Sequence, residues 1–557
     1  MNEYLQARAL FRAFLARFFE NEISEGSRDL QSSFMRIIGM LAAPGFLLPF
    51  SNLWRWTGLA AAGAAVLRRE SLADKTLYLS LGMGAMMLLA AVVWQALLPD
   101  RRDAIVLGSF PVRARTIVAA KLAALFAYLG IVATGMHVVG ALTFGAMLSG
   151  DVLGTLRAVP GHFIACVLAS MFACLAVAAF QSLTLAIAGP RVFARLTAPA
   201  QLLLATTGIG LIMMSPLMGA AAVGLVRGSA QAAWGVWAPP VWFIAIAEVI
   251  IGGAAPLMPA LAARALLAMG IVIGILVATY PLAYRRVAAA AMQGSPLSRR
   301  RSLAGALLQR VMRRMPASAA TRGTVHFILL TLGRIARNKL IVASALGGAV
   351  AIAIPFIVRW ASAASFLDVP GRSYIAVPFL FVMLGLAGMR MAYNVPTEPG
   401  ASWIFTTAAH PARTGTTAAR IVGLFVGGVL PALITLPAYA WVWGPAIGIS
   451  MALTIVAFGC FISEIGLHTV DFVPFTRAYS PERGNIQARW PAFLVAGVLF
   501  LQFLPWVIRT LLSYGNYWLG PALIALLALV LRYNHPPEPR LLVDADHANK
   551  PLALRLY

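Results

Sequence analysis

Charge is what this chain has least of. Only 11% of its 557 residues are Asp, Glu, Lys or Arg, against 60% hydrophobic. A soluble domain keeps roughly 25% of its residues charged, so this scarcity excludes an ordinary soluble protein. Lysine is rarer still: Lys75, Lys121, Lys339 and Lys550 are all there are, and none follows a glycine. A P-loop needs a Gly-Lys step to carry an ammonium onto the phosphates, so the chain does not hydrolyse ATP by that route. Cys166, Cys174 and Cys460 stand in apolar runs without metal-ligand spacing and read as small core residues. His-Glu-x-x-His and the nucleophile elbow are also missing, and the loops are too short for a soluble catalytic domain. No catalytic, cofactor-binding or metal-ligating residue is assigned.

Long apolar runs are abundant. A run of roughly 17–25 apolar residues crosses a bilayer, and the chain has about twelve: 35–54, 76–98, 117–147, 160–188, 198–226, 263–284, 340–359, 374–393, 417–442, 444–466, 490–511 and 517–532. The expected fold is an all-α polytopic membrane protein. The formal charge of +25 would suit nucleic acid in a soluble protein, but cytoplasmic loops of polytopic proteins are rich in Lys and Arg by default. Lipid is therefore the expected surroundings, without nucleic acid. Placing the N-terminus inside puts most of the 44 basic residues on the inner side, which favours N-in/C-in. One outer segment, 51–75, resists this with Arg55, Arg68, Arg69 and Lys75; it reads as an interfacial element whose side is open.

The N-terminal residues have no signal-peptide pattern of basic head and short apolar core. Phe11, Leu15 and Phe18 instead oppose Arg8, Arg12 and Arg17 at helical spacing, which predicts an amphipathic helix on the membrane surface. Residues 1–33 form that segment, 34–284 a first six-helix half, 285–325 a basic linker with a helix near 302–314, 326–532 a second six-helix half and 533–557 a cytoplasmic tail. The linker's Arg clusters either attract anionic headgroups or only fix the topology.

The halves correspond. Aligning Pro111 with Pro411 sets Phe110 on His410 and Arg113 on Arg413, and one residue of slippage sets Lys121 on Arg420. Asp100 and Asp103 correspond loosely to Glu398. Segments 34–50 and 338–356 both end in Pro-Phe. Both halves start inside, so the repeat is parallel, about an axis along the membrane normal.

The stretch PDRRDAIVLGSFPVRARTIVAAK, residues 99–121, resembles the loop between the second and third spans of ABC transporter type-2 permeases. The resemblance implies a coupling helix that docks on a separate cytoplasmic ATPase subunit, and hence ATP on that partner rather than on this chain. Asp100, Arg101, Arg102, Asp103, Phe110, Pro111, Arg113 and Arg115 would carry the docking, with Glu398, Pro411 and Arg413 in the second half. Ile105, Val106 and Phe110 can form an apolar stripe between the charges. The N-terminal helix resembles the family's elbow helix. WAPPVWFIAIAEVIIGG, residues 237–253, resembles the re-entrant outer helices before the family's last span, making Trp242 and Glu248 candidates for an outer gate. DFVPFTRAYSPERGN, residues 471–485, resembles a Pro-Phe-Thr-x-x-Tyr-x-Pro segment of large bacterial permease-like proteins. The implied place is the bacterial cytoplasmic membrane. The second half departs from the pattern: only SYGNY separates its last two spans, and Glu398 is the sole acid of its loop.

His137, Gln181, Glu248 and Glu464 are the conspicuous polar residues of the spans, and intramembrane polar residues are functional candidates by default. His137 and Gln181 serve either interhelical hydrogen bonds or a substrate; Glu464 and His468 form either an interfacial pair or part of a transport path. Two other functions stay open: an ion-gradient-driven secondary transporter, which needs midplane ionisable groups and broken helices, and an enzyme on lipid-linked substrates, for which Asp471, Glu482 and His468 are the one acidic-His cluster. Homo-oligomerisation is also open, because one chain supplies both halves.

Overall fold

The structure is a computed structural model that describes residues 3–19, 30–94, 96–98, 101–147, 152–252, 255–292, 310, 314–362, 369–395, 411–467, 473–476 and 486–534. The chain divides into two units, Met1–Ser298 and Arg299–Tyr557. Among the described residues there is no strand. Six helices are long and apolar enough to cross a membrane, or up to eight if two bent pairs each count as one. The chain is thus an all-α protein of the multi-pass membrane class.

In unit one, α1 (Glu3–Phe19) and α2 (Leu30–Ala61) precede α3 (Ala64–Val92), the short α4 (Arg101–Gly108) and α5 (Ala114–Met147). Then come α6 (Val152–Met213), α7 (Ser215–Val226), a 3₁₀ helix (Ala230–Trp237), α8 (Pro239–Ile251) and α9 (Met258–Met292). In α5 the buried positions Ile117, Lys121, Ala124, Tyr128, Val132, Met136 and Gly140 recur every three or four residues, the stripe that an α-helix turns to its neighbours. Close approach comes from small residues, as expected where lipid supplies no hydrophobic drive between helices. A Cβ on Gly140 would lie 2.3 Å from the Tyr78 hydroxyl, and one on Gly82 2.5 Å from the His137 ring. Helix α6 is broken at Gly189 (φ 78°, ψ 173°), a backbone region essentially reserved for glycine, and Pro190 follows it. The two expected spans 160–188 and 198–226 thus lie on either side of this break, the second bending by 60° between α6 and α7.

The apolar face of α1 is taken by protein. Phe14 and Phe18 are buried, and Phe18 stacks on Tyr128 of α5 with ring centroids 5.2 Å apart. Arg8 and Arg12 stay exposed. The segment 51–75 is no loop: α2 and α3 run through it and meet at Gly63, whose φ of 117° makes the corner.

Unit two holds α10 (Ala319–Arg334), α11 (Ala336–Ser362), α12 (Arg372–Tyr393), α13 (Pro411–Gly423), a π-helical turn (Leu424–Val429), α14 (Leu430–Trp443), α15 (Pro445–Leu467), α16 (Ile486–Ser513) and α17 (Leu519–Tyr533). Its core centres on aromatics: Phe379 of α12 packs 4.6 Å from Phe458 of α15, which stacks on Phe500 of α16 at 5.8 Å. The π turn sets Gly427 and Gly428 against Gly459, which a Cβ would approach within 2.6 Å of Gly428. Helices α9 and α10 run into the expected 285–325 linker from either side, while 302–309 of its basic helix lies outside the described residues.

Candidate functional site

The α4 end of unit one is built around Asp103. Asp103 and Leu107, four residues apart, share the inward face of α4. Asp103 is buried and Leu107 packs on the core, while Ile105, Val106 and Phe110 are each more than half exposed. Asp103 Oδ1 accepts from Arg17 of α1, and Oδ2 accepts from Lys121 Nζ of α5 at 2.5 Å. Lys121 also lies over the Phe14 ring, 5.3 Å from its centroid, a cation–π contact. Glu3, at the start of α1, meets Arg113 at 2.5 Å and Arg115 at 3.5 Å. One carboxylate inside and one at the rim thus fasten α1, α4 and α5 together. Pro111 is exposed in the turn that follows α4. Arg101 and Arg102 form the first residues of α4; Asp100 lies outside the described residues.

The corresponding loop of unit two lies largely outside the described residues, Glu398 included. Pro411 opens α13 and Arg413 is exposed in its first turn. Arg420, the counterpart of Lys121, reaches a different acid: its Nε lies 2.9 Å from Oε1 and 3.1 Å from Oε2 of Glu464 on α15. Glu464 therefore pairs with Arg420; His468, Asp471 and Glu482 are outside the described residues. What is described of the Pro-Phe-Thr segment, 473–476, folds onto the end of α12. Phe475 is buried, its N–H donates to Tyr393 O at 3.0 Å, and its ring meets Tyr393 edge-on at 5.4 Å.

The opposite end of unit one holds the expected gate. Helix α8 follows the 3₁₀ helix with a bend of 93°, and Trp242 Nε1 spans it by donating to Val236 O at 2.6 Å. Glu248 is buried and lies 3.8 Å from Lys75 of α3. The other cations of 51–75 also find partners: Arg55 Nη2 and Trp56 Nε1 donate to Asp74 Oδ2 at 2.7 and 2.8 Å, Arg68 donates to Ile251 O at 2.9 Å, and Arg69 pairs with Glu70. Glu70 also accepts from Arg227 at 2.5 Å; that hydrogen bond holds its carboxyl below the usual carboxylate range, with Arg69 helping and partial burial opposing.

A polar chain runs through the same bundle. His137 Nδ1 meets Tyr78 Oη at 3.1 Å and its Nε2 meets Ser170 Oγ at 2.7 Å, while His162 packs on Tyr78 and Phe144. Gln181 donates to Trp94 O at 3.2 Å, an interhelical hydrogen bond. His162, packed on this chain, and Lys75, facing Glu248, escape sequence reasoning: His162 follows Pro-Gly in an ordinary apolar run, and Lys75 reads as a loop charge. Among the described residues, no group of three His, Cys, Asp or Glu side chains is placed to hold a metal ion.

The helices define a multi-pass membrane protein of the all-α class. Comparison with protein-family models, with curated proteins and with solved structures finds no match to this chain.

Proposed function

We propose that this chain is the membrane-spanning permease subunit of an ATP-driven ABC exporter, coupled through the loop at 97–121 to a separate ATPase chain. The observation that carries the reading is α4 itself. An eight-residue helix at one end of the bundle is pinned inward by Asp103 and turns Ile105 and Val106 outward, with Phe110 exposed in the turn beyond it. Apolar side chains exposed together and flanked by Arg113 and Arg115 are the composition of a protein-binding surface. The tie from Asp103 to Arg17 and Lys121 would carry a push on that surface into α1 and α5, as a rigid-body switch of a packed bundle requires.

The finer architecture belongs to the same proposal: about twelve spans as two parallel six-helix repeats, N-in/C-in, in the bacterial cytoplasmic membrane. Six passes in unit one would be α2, α3, α5, the two limbs of α6 with α7 completing the second, and α9. Six in unit two would be α11, α12, α13 with α14, α15, α16 and α17. The test is co-purification with an ATPase subunit from the native membrane. Association is expected with the intact chain and lost when 100–115 is replaced by a Gly/Ser linker; unchanged association would sink the docking role.

One observation favours a second reading, an ion-gradient-driven transporter. Lys75, Glu248, His137 and His162 are buried inside a bundle with helix breaks at Gly189 and around Met214 and Ala238, the combination that such transporters use. Transport abolished by an uncoupler yet indifferent to ATP depletion would select it.

A further inference from the structure

Helix α8 has a single charged side chain, Glu248, in an otherwise apolar run. It ends at Gly252, whose left-handed backbone (φ 82°) stops the helix. Two cations of α3 reach it. Arg68 donates to Ile251 O at 2.9 Å, capping the carbonyl end where a positive charge suits the helix dipole. Lys75 faces Glu248 across 3.8 Å, with side-chain exposures of 2% and 10%.

We propose that Lys75 and Glu248 form the latch of a lid: α8 is docked on α3 in the closed state, and opening carries the two charges apart into water. The inference rests on reading Trp242 and Glu248 as parts of an outer gate, for which α8 is the lid, and adds what releases it.

The argument is that this pair is a poor one, beside a good one. A buried ion pair loses the hydration of both ions, and only close contact with further hydrogen bonds repays it. Asp74, one residue earlier on α3, meets that condition with Arg55 and Trp56 at 2.7 and 2.8 Å. Glu248 does not: the gap to Lys75 is beyond hydrogen-bond reach, and Oε1 accepts no hydrogen bond at all. The other titratable groups on the elements packed against α8 do not close this gap. On α3, Arg68 is occupied by Ile251 O, and on α6, His162 lies beside Cys166, its Nε2 3.6 Å from the sulfur. On α9, Arg264 reaches Val236 O at 3.4 Å, and Tyr280 lies toward Asp103 at the other end. The 3₁₀ helix and α7 have no titratable side chain.

Apolar contacts supply the seat. Phe243, Ile244, Ala245 and Ala247 are fully buried, and a Cβ on Gly161 of α6 would lie 3.4 Å from Ala247 O. Packing therefore favours closure, while the ill-matched charges favour hydration. A helix held by such opposed terms has two discrete positions rather than a continuum.

Hydrogen exchange of residues 239–251, in the full chain in lipid nanodiscs, tests this. Wild-type α8 is expected to exchange faster than α5. Lys75→Met and Glu248→Gln, each leaving a lone buried charge, are expected to raise α8 exchange at least about tenfold, a change in opening equilibrium of about 1.4 kcal/mol. The double variant, which removes both charges, is expected to return to the wild-type rate or below it. A double variant as fast as the faster single variant would make the residues mere packing and overturn the latch. Insensitivity to the pair, with α8 still faster than α5, would overturn the latch but keep the lid; α8 as protected as α5 in every variant would overturn both. If the single variants do not fold, the reversed pair Lys75→Glu/Glu248→Lys replaces them, with near wild-type exchange expected and fast exchange overturning the proposal.

Discussion

Asp103 shows how much one residue can be asked to do. It is buried between two cations from different helices, so its loss takes a buried carboxylate away from both Arg17 and Lys121. Removing one partner of such a pair costs about 3–5 kcal/mol, whereas replacing both is far cheaper. Asp103→Asn should therefore lower the thermal unfolding midpoint in detergent sharply, and Asp103→Asn/Lys121→Met should recover part of the loss. Phe475 makes the opposite kind of demand. Its φ of 68° costs a non-glycine residue about 1–2 kcal/mol, and it persists because the ring is buried against Tyr393. Truncation to alanine removes the packing, about 3–5 kcal/mol, and keeps the strain. Phe475→Gly removes both, so in the same unfolding measurement it is expected to be the more stable of the two variants, although it is the smaller. The charge of the 97–121 loop was plain in the sequence; which charge turns inward was not. The inward turn of Asp103 depends on seats offered by Arg17 of α1 and Lys121 of α5, which no local pattern in the loop announces.

At the level of the element, local pattern succeeded where the cause of structure is local. The Gly189-Pro190 step breaks α6 between two apolar runs because glycine admits the backbone angle and proline donates no N–H. The short, Pro-led run at 239–251 does fold as a helix of its own, at 93° to the 3₁₀ helix before it. The segment 51–75 was misleading for the same reason: its charges look solvated because Glu70 and Asp74 are the partners close by in sequence and do not serve all of them. Glu248, Ile251 and Arg227 come from far along the chain, and they let α2 and α3 continue as helices through residues that a window counts as loop. Glycine in α5 offers a test of packing at this scale. Gly130 has nothing within 4 Å of a Cβ, whereas Gly140 faces the Tyr78 hydroxyl at 2.3 Å. Gly130→Ala should be neutral or stabilising by up to about 1 kcal/mol, the helix propensity gain. Gly140→Ala should cost about 1–3 kcal/mol through overpacking and disturb the Tyr78–His137–Ser170 chain; parallel unfolding curves in one detergent distinguish the two.

Across the whole molecule, the two cations that the sequence alignment sets opposite each other, Lys121 and Arg420, find acids on different kinds of element within their own units. In unit one the cation at the start of the third apolar run, Lys121, ties to Asp103 on α4, so the exposed apolar residues of α4 are held to the bundle. In unit two the corresponding cation, Arg420, ties α13 to α15 through Glu464 instead, and the end of α12 is capped by Phe475. Charge counting alone suggested a weaker second loop, since Glu398 is its only acid; the partner chosen by Arg420 supplies the mechanical reason. A force on α4 reaches α1 and α5 through buried ion pairs, whereas that same cation of unit two makes its bond within the bundle. The two loops are therefore expected to contribute unequally to association with an ATPase subunit. Replacing 396–410 by a Gly/Ser linker of equal length should leave most of the co-purified ATPase, while replacing 100–115 should remove it. Arg420→Met should lower the unfolding midpoint, through the unpaired Glu464, without changing the amount of ATPase recovered per folded chain. Equal losses from the two loop replacements would show that both units dock alike, and that the exchange of Asp103 for Glu464 is a difference of stability alone.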